Sequence, residues 1–314
     1  MNIKISYIKI CLIFIFFAFV SDTIYGKIRL IVCHYNRPDF LRLQYQTFKK
    51  FLVEKDEFEL IVLNDAIHPQ MRDALEITCR ELGLKSIIFP QYLHNQGVLI
   101  DYLKKLPFRH DIPYGQNGSV RYCQLIRYGL ENFGYNHDDI IGIVEGDVFL
   151  VKKYSIRQSL NYTDILGVMR PDRGTLGIEY LWIGLCFADM QRLPNKYNFC
   201  FDLTYVDTTF LDAGGATYEY LKNNSEVKVE KHYPLFIKSL PRDNAKKLKD
   251  LGFANDEIEL LGKLKNHVDY CPAIGFEFLV NKNFIHLGGS RFYGEGDPAS
   301  TALKIFIENR LSQV

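Results

Sequence analysis

The sequence predicts an α/β fold in which helices flank a mostly parallel central sheet. Two observations lead to this prediction. Apolar, β-branched runs alternate with helical repeats along the first half of the 314-residue chain, and such alternation implies right-handed crossovers between parallel strands. The runs are also apolar throughout, as strands buried on both faces of a sheet must be.

The individual elements follow from periodicity and turn residues. Strands are predicted at 27–34, 58–63, 86–89 and 139–144, each closed by turn-forming or polar residues. Apolar stripes of helical spacing run through 41–52, 71–82 and 123–133, and Ser119 is the expected N-cap of the third helix. The second half is less regular, with strands expected at 164–169 and 181–187 and helices at 257–264 and 301–311. We expect one continuous domain over 27–314.

Residues 1–26 predict a targeting segment. Lys4 and Lys9 precede an apolar run over 10–20, which fits the core of a signal peptide and is shorter than the ~20 residues of a membrane-spanning helix. The absence of a clear A-x-A cleavage pattern leaves two alternatives, a cleaved signal peptide or a short uncleaved anchor. Basic residues before the run place the body of the chain across the membrane, so we expect an exported protein.

The charge balance and the aromatic content indicate which classes of partner the protein can bind. The chain has 38 Lys and Arg against 37 Asp and Glu, so no bulk electrostatic attraction to nucleic acid is expected. Aromatic residues make up 14% of the chain. An aromatic core explains this figure, as does a site that stacks sugars on aromatic rings.

Polar residues follow the predicted strands at the point where ligands of open parallel sheets bind, beyond the carboxyl ends. Arg37 follows the first strand, Asp65 the second, and Glu145 and Asp147 the fourth. Asp65 can accept hydrogen bonds from a base or a ribose, and Arg37 can pair with phosphate. Asp147 can hold a hard divalent cation that bridges two phosphates. Each residue alone also fits an ordinary turn; together they suit a nucleoside diphosphate.

Three runs resemble the N-terminal half of GT-A glycosyltransferases, particularly the family-2-like group: IVCHYNRPDFLRLQYQTF, FELIVLNDA and NGSVRYCQLIRYGLENFGYNHDDIIGIVEGDVFL. The resemblance spans residues 27–152 and implies a GT-A-type, Rossmann-like domain. It implies that 27–152 binds a nucleotide-sugar and that 153–314 shapes the acceptor cleft.

The resemblance also suggests roles for residues in these runs. It places Asp65 at the base and matches Asn117 to the Asn-Gly that begins the helix before the metal-binding strand. Asp147 matches the second acid of the D-x-D motif, commonly the direct metal ligand. Glu145 stands where the first Asp is usual, and could act through water or contact the ribose. Arg121, in the first turn of the helix, is expected close to the diphosphate.

The second half supplies further candidates. His286, in the run FIHLGGSR, resembles the late histidine that many GT-A enzymes bring to the metal, and imidazole suits Mn²⁺. Arg291 can neutralise the diphosphate. Asp212 is the candidate base for deprotonating the acceptor hydroxyl; it resembles an acid that opens a helix in inverting members, and a retaining reaction would not need it. Trp182 either packs in the core or stacks on the acceptor.

The predicted function is that of a hexosyltransferase-like glycosyltransferase. It would move a sugar from a UDP- or GDP-sugar to a hydroxyl of a glycan or glycoconjugate, with Mn²⁺ or Mg²⁺. Because nucleotide-sugars are imported into the eukaryotic secretory lumen, an exported transferase is expected in the ER or Golgi, or secreted, in soluble or anchored form. The alternatives are a non-catalytic carbohydrate- or partner-binding relative, which Glu145 permits, and a nucleotidyltransferase, which the glycine-free HYNRPDF turn disfavours.

Overall fold

A computed structural model of the protein describes residues 26–90, 117–171, 177–207, 209–236, 245–268, 275–288 and 296–313. The strands in these ranges are β1 (Ile28–His34), β2 (Phe58–Asn64), β3 (Lys85–Ile88), β4 (Ile140–Glu145), β5 (Val148–Leu150), β6 (Ile165–Pro171), β7 (Glu179–Asp189), β8 (Thr204–Val206), β9 (Thr209–Leu211), β10 (Val229–His232), β11 (Leu235–Phe236), β12 (Gly275–Leu279) and β13 (Phe284–Gly288). The α-helices are α1 (Pro38–Phe51), α2 (Pro69–Leu82), α3 (Asn117–Gly129), α4 (Ile156–Ser159), α5 (Thr217–Asn223), α6 (Ala245–Asp250), α7 (Asn255–Val268) and α8 (Pro298–Ser312). A π-helical turn (Leu130–Gly134) continues α3, and a 3-10 turn spans Lys196–Asn198.

The central sheet confirms the predicted fold class. Its seven strands run in the order β10-β6-β7-β4-β1-β2-β3. Strand β7 is antiparallel to both of its neighbours, while the other adjacent pairs are parallel. Strands from both halves of the chain therefore lie in one sheet.

Both faces of this sheet are covered, which explains the runs of consecutive apolar residues in its central strands. On one face, Ile31 of β1 belongs to a buried cluster with Cys123 and Ile126 of α3. On the other face, Val32 of β1 belongs to a cluster with Phe48 of α1. Successive side chains of a strand point to opposite faces, so the consecutive apolar residues 30–33 of β1 fill both layers.

A second, antiparallel sheet packs against the first. Its strands run in the order β11-β12-β13-β5. One side is buried against helices, since Phe149 and Ile285 pack with Phe40 of α1 and Leu303 of α8. Strand β5 starts three residues after β4 ends, so the chain passes from the central sheet to the second sheet through one tight turn.

The observed boundaries differ from the predictions in a few places. Helix α3 begins at Asn117, so Ser119 lies inside the first turn and its prediction as the N-cap is wrong; a capping residue type does not by itself define where a helix begins. Strand β3 starts one residue earlier than predicted, and α7 and α8 extend beyond the predicted ranges. Strands β5 and β8 to β13 were not predicted, because each is too short to show a clear alternating pattern.

The predicted targeting segment lies outside the described residues, apart from Gly26. Among the helices that the structure does describe, none combines the length and apolarity that a bilayer crossing requires.

Gly142, in the middle of β4, provides a test of the packing across the central sheet. A Cβ at this position would lie 2.5 Å from Cδ2 of Leu30 and 2.8 Å from Cδ1 of Phe187, both of which are fully buried. We expect Gly142→Ala to lower the free energy of unfolding by about 1–3 kcal/mol, the usual cost of overpacking a core. Chemical denaturation measures this change.

Gly262→Ala is the matched control. It lies in α7, where an added Cβ meets nothing within 4 Å, so the same substitution should stabilise the protein by about 0.5–1 kcal/mol through helix propensity. If Gly142→Ala were as stable as the wild type, the packing described for β4 would be wrong.

Candidate functional site

The carboxyl ends of β2 and β4 meet on either side of β1. In the parallel registers His34 pairs with Asn64 and Cys33 pairs with Glu145. The Asp65 N–H, one residue beyond β2, donates to the His34 carbonyl over 2.9 Å. Burial raises the pKa of the Cys33 thiol, and the charges of Asp65 and Glu145 raise it further. The predicted base-binding acid and the predicted metal-binding turn therefore flank the same strand end.

The turn after β4 is packed directly onto β1. At Gly146 a Cβ would lie 2.5 Å from the Cys33 carbonyl oxygen and 2.8 Å from Nδ1 of His34. Only glycine allows the turn to approach β1 this closely. The two acids on either side of Gly146 are thereby held at the sheet edge.

The second sheet brings His286 to this turn. Val148, the first residue of β5, pairs with His286 of β13, and the Leu287 N–H donates to the Asp147 carbonyl over 3.1 Å. Nε2 of His286 lies 3.5 Å from Oδ1 of Asp147 and 3.7 Å from Oε2 of Glu145. The structure thus brings together the two residues predicted to bind metal and adds Glu145 to them.

These three residues form a donor set suited to a divalent cation. One ligand atom from each of Glu145, Asp147 and His286 lies within 4.8 Å of the other two. Oδ1 of Asp147 is buried and makes no hydrogen bond among the described residues. A buried carboxylate oxygen without a donor is costly, and a cation would satisfy it. Two carboxylates and one imidazole suit Mn²⁺, while the oxygens also suit Mg²⁺.

The electrostatics of the cluster reflect crowded negative charge. Burial raises the pKa of Glu145, and the neighbouring Asp147 carboxylate raises it further. Burial alone would lower the pKa of His286, but the carboxylates of Asp147 and Glu277 outweigh it and raise this pKa to about 10. Without a metal, the imidazole therefore carries the positive charge that these acids require.

Glu277 holds the far side of the imidazole. It lies directly opposite His286 in the β12–β13 register, and its Oε2 is 3.4 Å from Nδ1 of His286. Arg170 of β6 donates to both oxygens of Glu277 over 3.3 Å. An Nδ1–H donor leaves Nε2 facing Glu145 and Asp147, the orientation that a metal ligand needs.

Trp182 packs beside the cluster. Its ring centroid lies 4.7 Å from that of His286, and the Arg170 guanidinium lies 4.6 Å over its ring. Trp182 is half-buried and belongs to the packing on both sides of the sheet. The core-packing interpretation is consistent with these contacts, which also place the ring at the site.

Asp65 and Arg121 form the other side of the site. Nε of Arg121 donates to Oδ2 of Asp65 over 2.6 Å, and its guanidinium lies 4.8 Å over the ring of Tyr35. Asp65 is buried, and the Arg121 side chain is 16% exposed. The predicted base-binding acid and the predicted phosphate-binding arginine are therefore direct partners in the structure.

Arg37 has buried structural partners. Its guanidinium donates to both carboxylate oxygens of Asp39, at 2.9 and 2.8 Å, and to Oγ of Ser300 in α8 at 3.2 Å. It also stacks over the ring of Phe40, 3.4 Å from the centroid. These contacts tie α1 to α8. Phosphate binding by Arg37 stays a prediction, and it would require the ion pair with Asp39 to open.

The remaining predicted residues are placed as follows. Asp212 is half-buried, and its Oδ1 accepts the Ala213 N–H over 2.8 Å. Helix α5 begins at Thr217, so Asp212 lies in the turn before the helix rather than at its N-cap. Asn117 is the first residue of α3, although its side chain lies outside the described part. Arg291 also lies outside the described residues.

Solved structures with a similar fold are glycosyltransferases. One is core-mannan synthase A (CmsA/Ktr4) from Aspergillus fumigatus in its Mn/GDP form, at 11% identity over 56% of this chain and 63% of that chain, with a TM-score of 0.35. The galactosyltransferase LgtC with donor and acceptor sugar analogues is 14% identical over 65% of this chain and 73% of that chain, with a TM-score of 0.36. The mannosyltransferase PcManGT from Pyrobaculum calidifontis, with GDP-Man and Mn²⁺, is 10% identical over 67% of this chain and 55% of that chain, with a TM-score of 0.37.

This chain spans less than two thirds of the length of the first and third of these proteins. No protein-family model and no curated protein sequence matches it. The neighbours belong to the class that the sequence resemblance names.

Sequence reasoning missed two charged residues of the site. Glu277 interrupts the apolar strand GFEFL, and a lone acid between two phenylalanines of a strand is a signal of a buried polar role. Arg170 lies near the end of β6, just after its apolar run, where a surface position is equally compatible with the sequence. Their contacts depend on two sheets meeting, which no local pattern encodes.

The ion pairs around His286 give a pH-dependent test. In metal-free protein, the ring signals of His286 should titrate near pH 10 because Asp147 and Glu277 stabilise the imidazolium. Glu277→Gln removes one of these charges, so the titration midpoint should fall by about 1 pH unit or more, as expected for loss of a charge within ~4–6 Å. NMR of the histidine rings measures both midpoints.

His137 is the internal control for this titration. It contacts the Lys27 carbonyl, just before β1 and therefore at the opposite edge of the sheet, and its midpoint should not change. An unchanged midpoint for His286 in Glu277→Gln would contradict the contacts described.

Proposed function

We propose that the protein is a glycosyltransferase that moves a sugar from a UDP- or GDP-sugar to a hydroxyl of a glycan or glycoconjugate, with Mn²⁺ or Mg²⁺. The observation that carries the proposal is the cluster of Glu145, Asp147 and His286 at the carboxyl ends of parallel strands. Asp65 follows β2, on the other side of β1. A nucleoside diphosphate presents a base, a ribose and two phosphates in a row. At the carboxyl ends of these strands, Asp65 is available to the base and the cation site is available to the phosphates.

The positions of the side chains support the following roles. Asp65, held by Arg121, accepts hydrogen bonds from the base or ribose. Asp147 and His286 would hold the cation, and Glu145 would contribute a third ligand atom or contact the ribose. When bound, the cation offsets the negative charge that develops on the leaving diphosphate. Glu277 and Arg170 keep the imidazole oriented behind it.

Asp212 is the proposed base for an inverting transfer. It lies just beyond β9, in a turn whose Gly214 approaches the Leu181 carbonyl so closely that a Cβ there would lie 2.1 Å away. This contact sets the turn against β7, the strand that also carries Trp182. Asp212 would take the proton of the acceptor hydroxyl, so that its oxygen bonds to the anomeric carbon of the donor sugar as the bond to the nucleoside diphosphate breaks.

Removal of the Asp147 carboxylate tests the cation site. Asp147→Asn keeps the shape of the side chain but loses its charge, so Mn²⁺ affinity should fall by more than ~100-fold, since even residues behind metal ligands contribute 10- to 100-fold. Mn²⁺ electron paramagnetic resonance measures binding. Release of nucleoside diphosphate from a panel of UDP- and GDP-sugars, with metal or with chelator, measures turnover and should fall in parallel.

Asp56→Asn is the matched control, because this side chain is 80% exposed in the turn between α1 and β2. It should bind Mn²⁺ and turn over the donor as the wild type does. Wild-type protein that neither binds Mn²⁺ nor releases diphosphate from any donor would overturn the proposed function.

Asp65→Asn separates nucleotide recognition from cation binding. Loss of a charged hydrogen-bond acceptor should raise the KM for the nucleotide-sugar by about 10-fold or more, while Mn²⁺ affinity stays unchanged because Asp65 is not among the three clustered residues. Steady-state kinetics and metal titration measure the two effects. An equal loss of Mn²⁺ affinity would show that Asp65 does not act on the nucleotide alone.

A further inference from the structure

Gln44 is a buried amide on the inner face of α1. It is fully buried among apolar neighbours of that helix. Its Nε2 donates to two main-chain carbonyls, those of Glu145 and Val148, each over 2.8 Å. These two carbonyls stand on either side of the turn that contains Gly146 and Asp147, so one side chain holds both ends of the turn.

His34 fixes the orientation of this amide. Its Nε2 lies 3.1 Å from Oε1 of Gln44. Because Oε1 can only accept, the imidazole must donate from Nε2, which leaves Nδ1 without a proton in a neutral ring. Burial lowers the pKa of His34 to about 4, in agreement with a neutral ring. Nδ1 faces Gly146, where a Cβ would be 2.8 Å away.

The position of Gln44 matters because the turn connects the central sheet to the second sheet. Glu145 ends β4 in the central sheet, and Val148 begins β5 in the second sheet. The ladders of the two sheets restrain each strand separately, whereas the Gln44 amide restrains them relative to each other. Asp147 lies between the two residues whose carbonyls the Gln44 amide binds. His286 pairs with Val148.

We propose that Gln44, oriented by His34, is a positioning residue that holds the Glu145–Asp147 turn in the geometry required for cation binding. Gln44 does not touch the cation; it acts through the main chain of the turn. This inference rests on the proposed function, since it concerns the same cation site. It adds a residue from α1, an element that sequence reasoning connected only with packing.

The test compares two buried polar residues of the same helix. Gln44→Leu keeps the approximate volume but removes all three hydrogen bonds to the turn and His34. Thr47→Val is the matched control: Thr47 is also fully buried, but its Oγ1 donates to the Gln44 carbonyl within the helix. Each variant is titrated with Mn²⁺ alone, by electron paramagnetic resonance, at a temperature well below its own melting temperature.

Gln44→Leu is expected to weaken Mn²⁺ binding by at least ~10-fold, the size of effect common for residues that orient metal ligands. Thr47→Val is expected to melt earlier and bind Mn²⁺ as the wild type does. A folded Gln44→Leu protein with wild-type Mn²⁺ affinity would overturn the inference, even if its melting temperature fell. If Gln44→Leu does not fold, Gln44→Glu decides by the same criterion, because a carboxylate keeps the shape but cannot donate to both carbonyls.

The two proposals fail differently in this experiment. Wild-type protein that does not bind Mn²⁺ sinks the proposed function. If the wild type binds Mn²⁺ and the Gln44 variants bind it with the same affinity, only the proposed role of Gln44 is overturned.

Discussion

The close packing of the Glu145–Asp147 turn against the end of β1 is the constraint on which the candidate site depends. Gly146 lies against the Cys33 carbonyl and the His34 ring with no room for a side chain. This contact places Glu145 and Asp147 at the carboxyl ends of the parallel strands. They lie next to the end of β1, which on its other side borders Asp65. It also sends the chain directly into β5, so that the second sheet starts from the turn itself.

The second sheet converts this edge into a cation site. Its register sets Val148, His286 and Glu277 in a row across three adjacent strands. An imidazole from one strand therefore faces the acids of the turn, while an acid from the next strand holds its other nitrogen. A loop could not orient these groups as tightly, since side chains on strands are restrained by their ladders.

Charge balance explains why the cluster points to a cation. Glu145, Asp147 and Glu277 surround a single imidazole, and Arg170 pairs with Glu277 at the outer edge. Concentrating carboxylates away from water is costly unless positive charge compensates them. The imidazolium supplies that charge in the absence of metal. A bound cation would take over this role and free Nε2 to act as a ligand.

Local pattern was enough to predict most strands and helices of the first half and the acids at the strand ends, because apolar periodicity and turn residues are encoded over a few positions. The late histidine was predicted from the resemblance to GT-A enzymes. Local pattern could not predict the roles of Glu277, Arg170 and Gln44. These roles arise from the register between β12 and β13 and from the packing of α1 against two sheets. The same holds for the buried partners of Arg37. A residue type states which chemistry a side chain can perform, but its neighbours depend on contacts between segments far apart in the chain, and those contacts form only when the layers pack.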